Sequence, residues 1–341
     1  MIAKHFTSLT FFLMLSMASH SIYAQLIPNF GGQRRGASTL SFLKNDMSPR
    51  STALSGASVA LNVDGYSIYN NPSAIADQEN FTASISNYSL GAGIQQSFAS
   101  VILPRKNKLS AFGFSLNMLN SGEMEVRTEF QPEGTGEKFF VTNLAAGLSY
   151  AAQLSDMFSA GVTLKYIYEQ IEEFSNSTLA ADVSFLYKTD FKQLKFAVMV
   201  QNFGGNSSIN GGGLQVDFNR NQDNTFTEEY TVPTVFSLGA SFVPWEEENQ
   251  SLLVVLQLNH PNDNSENYRL GLEYQYRKLL YLRGGLKLNV KSQPFPTFGL
   301  GLRHRIGGHP LFIDYAVNPT EFLGTLHTIG LAFTMNKMER E

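Results

Sequence analysis

The sequence predicts an all-β protein, an antiparallel transmembrane β-barrel of about fourteen strands with a helix-and-turn plug ahead of it. Three observations carry this expectation. Between residues 81 and 335 apolar and polar residues alternate in successive short segments, and the connections between those segments sort into short and long ones. A leader-like N-terminus is then followed by no run of roughly 18 apolar residues, the length a transmembrane helix needs. In lipid every backbone polar group must be paired within the protein, and strands manage this only by closing into a barrel.

The alternation is clearest where Tyr268, Leu270, Leu272, Tyr274 and Tyr276 interleave with Arg269, Gly271, Glu273 and Gln275. A period of two puts the two sets on opposite faces of one strand. The next segment repeats the pattern, with Leu280, Leu282, Leu286 and Leu288 against Tyr281, Arg283, Lys287 and Asn289. Read this way, the strands fall at 81–88, 94–103, 109–119, 141–154, 157–171, 178–188, 194–203, 231–243, 251–260, 267–276, 279–290, 296–305, 311–317 and 326–335. Several approach the roughly nine to eleven residues a tilted strand needs to cross a bilayer, and the count is even, as in bacterial barrels.

Connection length gives an independent test. If the first strand rises from the periplasm, the periplasmic turns are 104–108, 155–156, 189–193, 244–250, 277–278 and 306–310, all short. The opposite side receives 120–140, 172–177, 204–230 and 318–325, which include the two longest connections. Short periplasmic turns with long outer loops are the habit of outer-membrane barrels.

Lys4, the apolar run from Phe11 to Ala18, and Ile22, Tyr23 and Ala24 have the layout of a signal peptide over residues 1–24, which predicts export. The expected address is the Gram-negative outer membrane, with its lipid as one partner. The chain has no cysteine, so a disulfide framework is excluded. Its net charge of −4 gives no electrostatic reason to expect nucleic acid.

Residues 25–80 do not fit the barrel pattern. Ser48-Pro49 opens a stretch rich in Ala, Ser and Leu from Arg50 to Leu61, and Pro near a helix start is favourable. Asn70-Asn71-Pro72 reads as a turn. The expectation is a plug inside the barrel of residues 81–335, with 336–341 a C-terminal tail; a flexible periplasmic tail is the alternative for 25–80.

These residues also carry a resemblance. Phe42-Leu43, Ser48-Pro49-Arg50, Ala53-Leu54-Ser55-Gly56-Ala57, Asp64 and Tyr69-Asn70-Asn71-Pro72-Ser73-Ala74-Ile75 resemble the leading segment of the PorV/PorQ proteins, relatives of the FadL-like transport barrels. Gly161 to Tyr166, Gln201-Asn202-Phe203-Gly204, and Asp314-Tyr315 through Gly324, His327 and Phe333 are similar too. Ser73 stands where that family usually has Ala, and Ser55 where a second Gly is common. The resemblance implies a fourteen-stranded, FadL-like outer-membrane barrel associated with type IX secretion, without choosing between a PorV-like and a PorQ-like role. It implies protein partners, namely a cargo sorting domain, a translocon or an attachment complex. It also implies a plug motif at Arg50, Gly56, Asp64, Asn70, Asn71 and Pro72.

On the inner face the alternation places Lys165, Glu169, Asp182, Lys188, Arg269, Glu273, Arg283, Lys287, Arg303 and Asp314. Buried charges need partners, so these line a polar conduit or pair across strands and anchor the plug, with Arg50 and Asp64 facing charges such as Glu273 or Arg283. On the outer face Tyr150, Tyr166, Tyr168, Tyr187, Tyr274, Phe298 and Phe333 suit an aromatic girdle. Pro244 and Trp245 fall in a periplasmic turn, with Trp245 an interface anchor.

Among the connections, 204–230 is the longest, and Phe218, Phe226 and Tyr230 in it are candidate anchors for a protein partner. The glycines at 204–205 and 211–213 are not followed by Lys-Ser/Thr, so they form no phosphate loop. His260, His304, His309 and His327 form no Ser/His/acid arrangement that the sequence supports. The chain is expected to be non-enzymatic and to need no cofactor or metal. Two functions compete: binding protein partners in type IX secretion, and a FadL-like channel for a hydrophobic small molecule. A channel of the second kind requires a continuous apolar path inside the barrel.

Overall fold

Fourteen strands close into one antiparallel barrel in a computed structural model that describes residues 38–106, 109–209, 229–290, 292, 293 and 295–336. In chain order they are β1 (Phe81–Gly91), β2 (Ile94–Pro104), β3 (Ser110–Asn120), β4 (Val141–Ser155), β5 (Phe158–Ile171), β6 (Phe174–Lys188) and β7 (Lys195–Gly204). β8 (Val235–Glu247), β9 (Gln250–Pro261), β10 (Asn267–Tyr276), β11 (Leu280–Leu288), β12 (Thr297–Ile306), β13 (His309–Pro319) and β14 (Thr325–Met335) follow. Each strand pairs with its chain neighbours, and β1 pairs with β14 to close the sheet. Two ribbons, Met124–Glu125 with Lys138–Phe139 and Asn206–Ser208 with Glu229–Thr231, stand in the long connections at one end.

Every segment expected from the alternation is a strand, but several connections differ from their expected bounds. Residues 172–177 are not a loop: Ile171 pairs with Phe174, and the strands meet at Glu172-Glu173. The Ser175–Ser177 stretch looks turn-like, yet Asn176 alternates correctly to the buried face. The turn expected at 244–250 shrinks, because Glu247 pairs with Gln250 after a register shift between Phe242 and Trp245. Pro244 and Trp245 therefore belong to a strand, and the Trp245 ring stacks on Tyr274 at 6.4 Å. β8 starts at Val235 rather than 231, since Pro233 has no amide to give a ladder. Gly307 and Gly308, both with positive φ, make a tight hairpin that lets β13 begin at His309.

The two faces of the wall differ as the alternation requires. Leu238, Leu256, Leu272, Leu282, Leu300 and Phe298 stand outward and exposed, a continuous apolar band that suits lipid and would be a liability in water. Facing inward are small, hydroxyl or charged residues such as Ser84, Ser100, Thr163, Gly271 and Asp314.

Residues 38–80 fill the lumen. They form a 3-10 turn (Ser41–Lys44), a short helix (Pro49–Ala53), another (Ser67–Asn70) and a second 3-10 segment (Pro72–Asp77). Ser48 caps the helix by accepting from the Ser51 amide at 3.2 Å, and Pro49 occupies the first helical position, where no amide bond is lost. Asn71 caps the last segment by accepting from the Ser73 amide at 3.0 Å. The segment enters at the long-loop end, where the Thr39 amide bonds the Thr231 carbonyl at 3.3 Å. It leaves at the short-turn end, where Asp77 accepts from Gln153 at 2.8 Å and pairs with Lys188.

Apolar contacts seat it between those ends. Tyr66, Ile68 and Ile75 pack on Phe98, Ile102 and Ala111. Leu40, Phe42 and Leu43 pack on Ala145, Ile167 and Ala180. Leu54 and Leu61 pack on Leu253 and Val255. Met47, Ala53, Leu54, Ala60 and Ile75 are wholly buried, so this segment is the core of the molecule.

Candidate functional site

The seat of the plug is a chain of charges that crosses from plug to wall. Arg50, on the Pro49–Ala53 helix, donates Nε and Nη2 to the two oxygens of Glu273 at 2.8 and 2.7 Å. The same guanidinium reaches Asp64 at 3.4 Å. Arg283 meets Glu273 from the neighbouring strand at 2.6 Å and passes its other arm to Asp314. The register puts Glu273 directly opposite Arg283, and the inward alternation of β10, β11 and β13 brings all three wall residues to one place. The Arg283 side chain is only 3% exposed, so each cation is held by carboxylates rather than water.

A second pair, Lys165 with Asp182 at 2.6 Å, braces the other side of the wall. Lys165 also donates to Asn202 at 2.8 Å, and Asp182 accepts from the Asn202 amide at 2.8 Å. Asn202 has a φ of 56° where the register shifts between Ala181 and Val183, so this pair stabilises a bulge.

Glu169, Arg269, Lys287 and Arg303, also on the inner face, have no opposite charge within salt-bridge distance among the described residues. Glu169 accepts from Asn143 at 3.1 Å and Thr39 at 3.4 Å. Arg303 lies over the Phe312 ring, 5.2 Å from its centre. Arg269 donates to the Gly56 carbonyl at 3.0 Å and to Asn267 at 2.9 Å, and Lys287 donates to Gln293. On the same two strands that pair Glu273 with Arg283, Arg269 and Lys287 are register partners of the same sign.

Of the plug residues singled out by sequence, Arg50 and Asp64 belong to the charge chain and the others make separate contacts. Gly56 has a φ of 79° and sits so close to Arg269 that a β-carbon would come within 2.1 Å of Nη1. Asp64 accepts from the Tyr66 amide at 2.9 Å and the Ser67 hydroxyl at 3.2 Å, fixing the start of the second helix. Asn71 donates to the Val59 carbonyl at 2.5 Å, and Pro72 begins the last 3-10 segment beside it. Asn70 lines the cavity at the long-loop end. Phe218 and Phe226 lie outside the described residues; Tyr230 is in the ribbon Glu229–Thr231.

Sequence reasoning missed a set of neutral wall residues that satisfy the plug backbone. Gln257 accepts from two consecutive plug amides, Ser58 at 2.8 Å and Val59 at 2.9 Å. Ser86 donates to the Met47 carbonyl at 2.6 Å, Ser84 to Gly65 at 2.7 Å, Ser241 to Ala60 at 2.6 Å and Thr297 to Ala53 at 2.9 Å. These residues hold a segment with little regular structure by supplying the partners that its backbone needs. Hydroxyls recurring at inward positions, Ser84 and Ser86 for example, were the available signal.

A cavity lies at each end of the plug. The one at the long-loop end measures about 450 Å³ and is lined by Lys44, Asp46, Gln257, Asn259, Arg269 and Lys287 among others. Its counterpart at the short-turn end is of like volume, about 450 Å³, and opens on Arg50, Asp64, Glu273, Arg283 and Asp314. Both linings are rich in charge and amide groups. At the outer cavity's rim Lys44 bonds Asp263 at 2.7 Å; burial pushes the Asp263 carboxyl up, but Lys44 and Ser38 outweigh it and hold it below the usual aspartate range. Among the described residues no cluster of metal-ligating side chains occurs.

The model of the family described as type IX secretion system protein PorV matches residues 32–260. No curated protein matches the sequence. Among solved structures, the toluene transporter TodX of Pseudomonas putida aligns with a TM-score of 0.57 at 9% identity, covering 85% of this chain and 98% of that one. The toluene transporter TbuX of Ralstonia pickettii gives 0.53 at 11% identity, with 84% and 96% covered. A Pseudomonas aeruginosa FadL homologue gives 0.51 at 11% identity, with 84% and 97% covered. At these identities the likeness is one of fold.

Proposed function

This chain belongs to the family of type IX secretion system protein PorV, and from that premise we propose that it is a non-enzymatic outer-membrane barrel that binds protein partners in type IX secretion. The partners in this reading are cargo bearing a sorting domain and the translocon or attachment complex that hands it on. One observation carries it: the plug is fixed across the lumen by the Asp64–Arg50–Glu273–Arg283–Asp314 chain, so the interior is a charged brace.

The rival reading, passage of a hydrophobic small molecule, needs an apolar route through that brace. The plug's apolar residues Leu40, Phe42 and Leu54 are spent instead on packing against the wall. With the interior occupied, recognition belongs to the long connections at the outer end, where a rigid barrel presents its loops. Phe218, Phe226 and Tyr230 of 204–230 remain the proposed anchors.

The test is affinity purification of the full chain from outer membranes of cells secreting sorting-domain cargo. Co-purification of cargo or translocon, lost when 205–230 is shortened while heat-modifiable mobility is kept, is the expected result. Normal secretion without the protein, together with impaired uptake of a hydrophobic compound, would overturn the reading in favour of its rival.

A further inference from the structure

Arg269 on β10 and Lys287 on β11 are directly opposed across the sheet, both inward and both partly exposed to the cavity at the long-loop end. Like charges in direct opposition destabilise a strand pair unless something sits between them. Elsewhere on the wall the arrangement is different: Lys165, Lys188 and Arg283 each have a carboxylate within salt-bridge distance. Neither Arg269 nor Lys287 has one among the described residues.

The surroundings remove only part of this imbalance. Lys44 and Asp263 cancel one another at the rim. Asp46, which lines the same cavity, is engaged by the Ser51 hydroxyl and by the Ser48 amide at 3.1 Å. Asp46 offsets one of the two facing cations, which leaves a single net positive charge there among the described residues. Amides surround it, with Gln257, Asn259, Asn267 and Gln293 in the lining. Arg269 donates Nε to Asn267 and one Nη1 proton to Gly56, and its remaining Nη protons beside the Lys287 ammonium, framed by amides and reached from the long-loop end, suit one planar oxyanion.

We propose that this cavity binds a carboxylate, received between Arg269 and Lys287 from the long-loop end. The single net charge selects a monocarboxylate over a dianion such as phosphate. The volume of about 450 Å³ admits a small free acid or the last residues of an extended chain, and the recognised group is the same in either source. This site does not depend on the partner-binding reading, and its test does not use secretion.

The experiment titrates the purified full chain in detergent with acetate, phosphate, triglycine and triglycine amide, replacing chloride at fixed ionic strength. Thermal unfolding and calorimetry are the readouts. Acetate and triglycine should raise the transition and the amide should not; tighter binding of triglycine than of acetate identifies a chain end, and the reverse identifies a free acid. Lys287→Gln should keep heat-modifiable mobility, be no less stable than the parent in chloride, and bind the carboxylate at least about tenfold more weakly. Arg269→Gln should also lose binding, but it loses its bonds to Gly56 and Asn267 as well, so the Lys287 variant decides. No carboxylate response in the parent, an equal response in Lys287→Gln, or phosphate binding as well as acetate would each overturn the proposal.

Discussion

Ser73 of the plug lies against Gly161 of β5 so closely that a β-carbon on Gly161 would come within 2.3 Å of the Ser73 amide nitrogen. The Ser73 amide also donates to the Ser184 hydroxyl at 2.8 Å on the next strand, so the plug has no slack there. Gly161→Ala should therefore loosen the plug at a cost of about 1–3 kcal/mol, the range for overpacking a tight core. Outward-facing Gly284, whose nearest atom would be the Thr297 carbonyl oxygen at 3.8 Å, is the control, and Gly284→Ala should leave stability nearly unchanged. Thermal unfolding and limited proteolysis within 38–80 compare the two.

Arg50→Met should destabilise the protein by about 3–5 kcal/mol, because it strands part of the Glu273 charge inside the lumen. Pairing it with Glu273→Gln should cost less than the sum of the two single changes. A double-mutant cycle in urea, with the barrel in lipid vesicles, measures that coupling.

Leu272 and Gln275 lie on the same strand and on opposite faces, Leu272 exposed outward and Gln275 lining the cavity at the short-turn end. Leu272→Arg should impair assembly by roughly 2–4 kcal/mol, the cost of a cation near mid-bilayer, and Gln275→Arg should be tolerated. Folding yield into vesicles, read from heat-modifiable mobility, separates them.

The Lys44–Asp263 latch gives the outer end a pH dependence of known sign. Asp263 titrates below its ordinary value, so its contribution is complete above the unfolded aspartate range, near about pH 3.9, and is lost as pH falls through the folded value. Protection factors of the Thr39–Lys44 amides, which correct for the intrinsic slowing of exchange in acid, should be high at neutral pH and fall in that acid window. Asp263→Asn should show low protection at both ends of the range.

Removal of residues 38–78 should raise single-channel conductance sharply, since the plug fills the lumen between the two cavities. Planar-bilayer recording of the parent and the deleted chain checks this.

The barrel was legible because lipid outside and a plug inside impose opposite chemistry on successive residues: Leu272 and Leu282 against Glu273 and Arg283 announce two faces without help from distant residues. Turn bounds were less so. Ser175–Ser177 has turn-like composition, and only pairing with Tyr168–Gln170 makes it strand. In the site, Arg50 and Glu273 were each identifiable as charges needing partners, and their contact across 223 residues follows the expected facing. What the sequence did not disclose was the like-charge pairing of Arg269 with Lys287, which depends on register to the single residue. It also hid the hydrogen bonds from Gln257 and the wall serines, because neutral inward residues look alike until the plug backbone is in place.

Every strand pairing joins neighbours along the chain except that of β1 with β14, which unites 81–89 with 327–335. Until that seam forms, the sheet is an open ribbon. Once it forms, the segment from Ser38 to Asp77 runs through a hoop of backbone hydrogen bonds like a thread through a bead. One end of the thread continues into β1, so it cannot be drawn out past the short turns. The remaining routes are endwise extraction through the long-loop mouth, against each brace in turn, or parting of the seam. Thread and bead are thus one mechanical object, in which slippage of the first is resisted by the closure of the second.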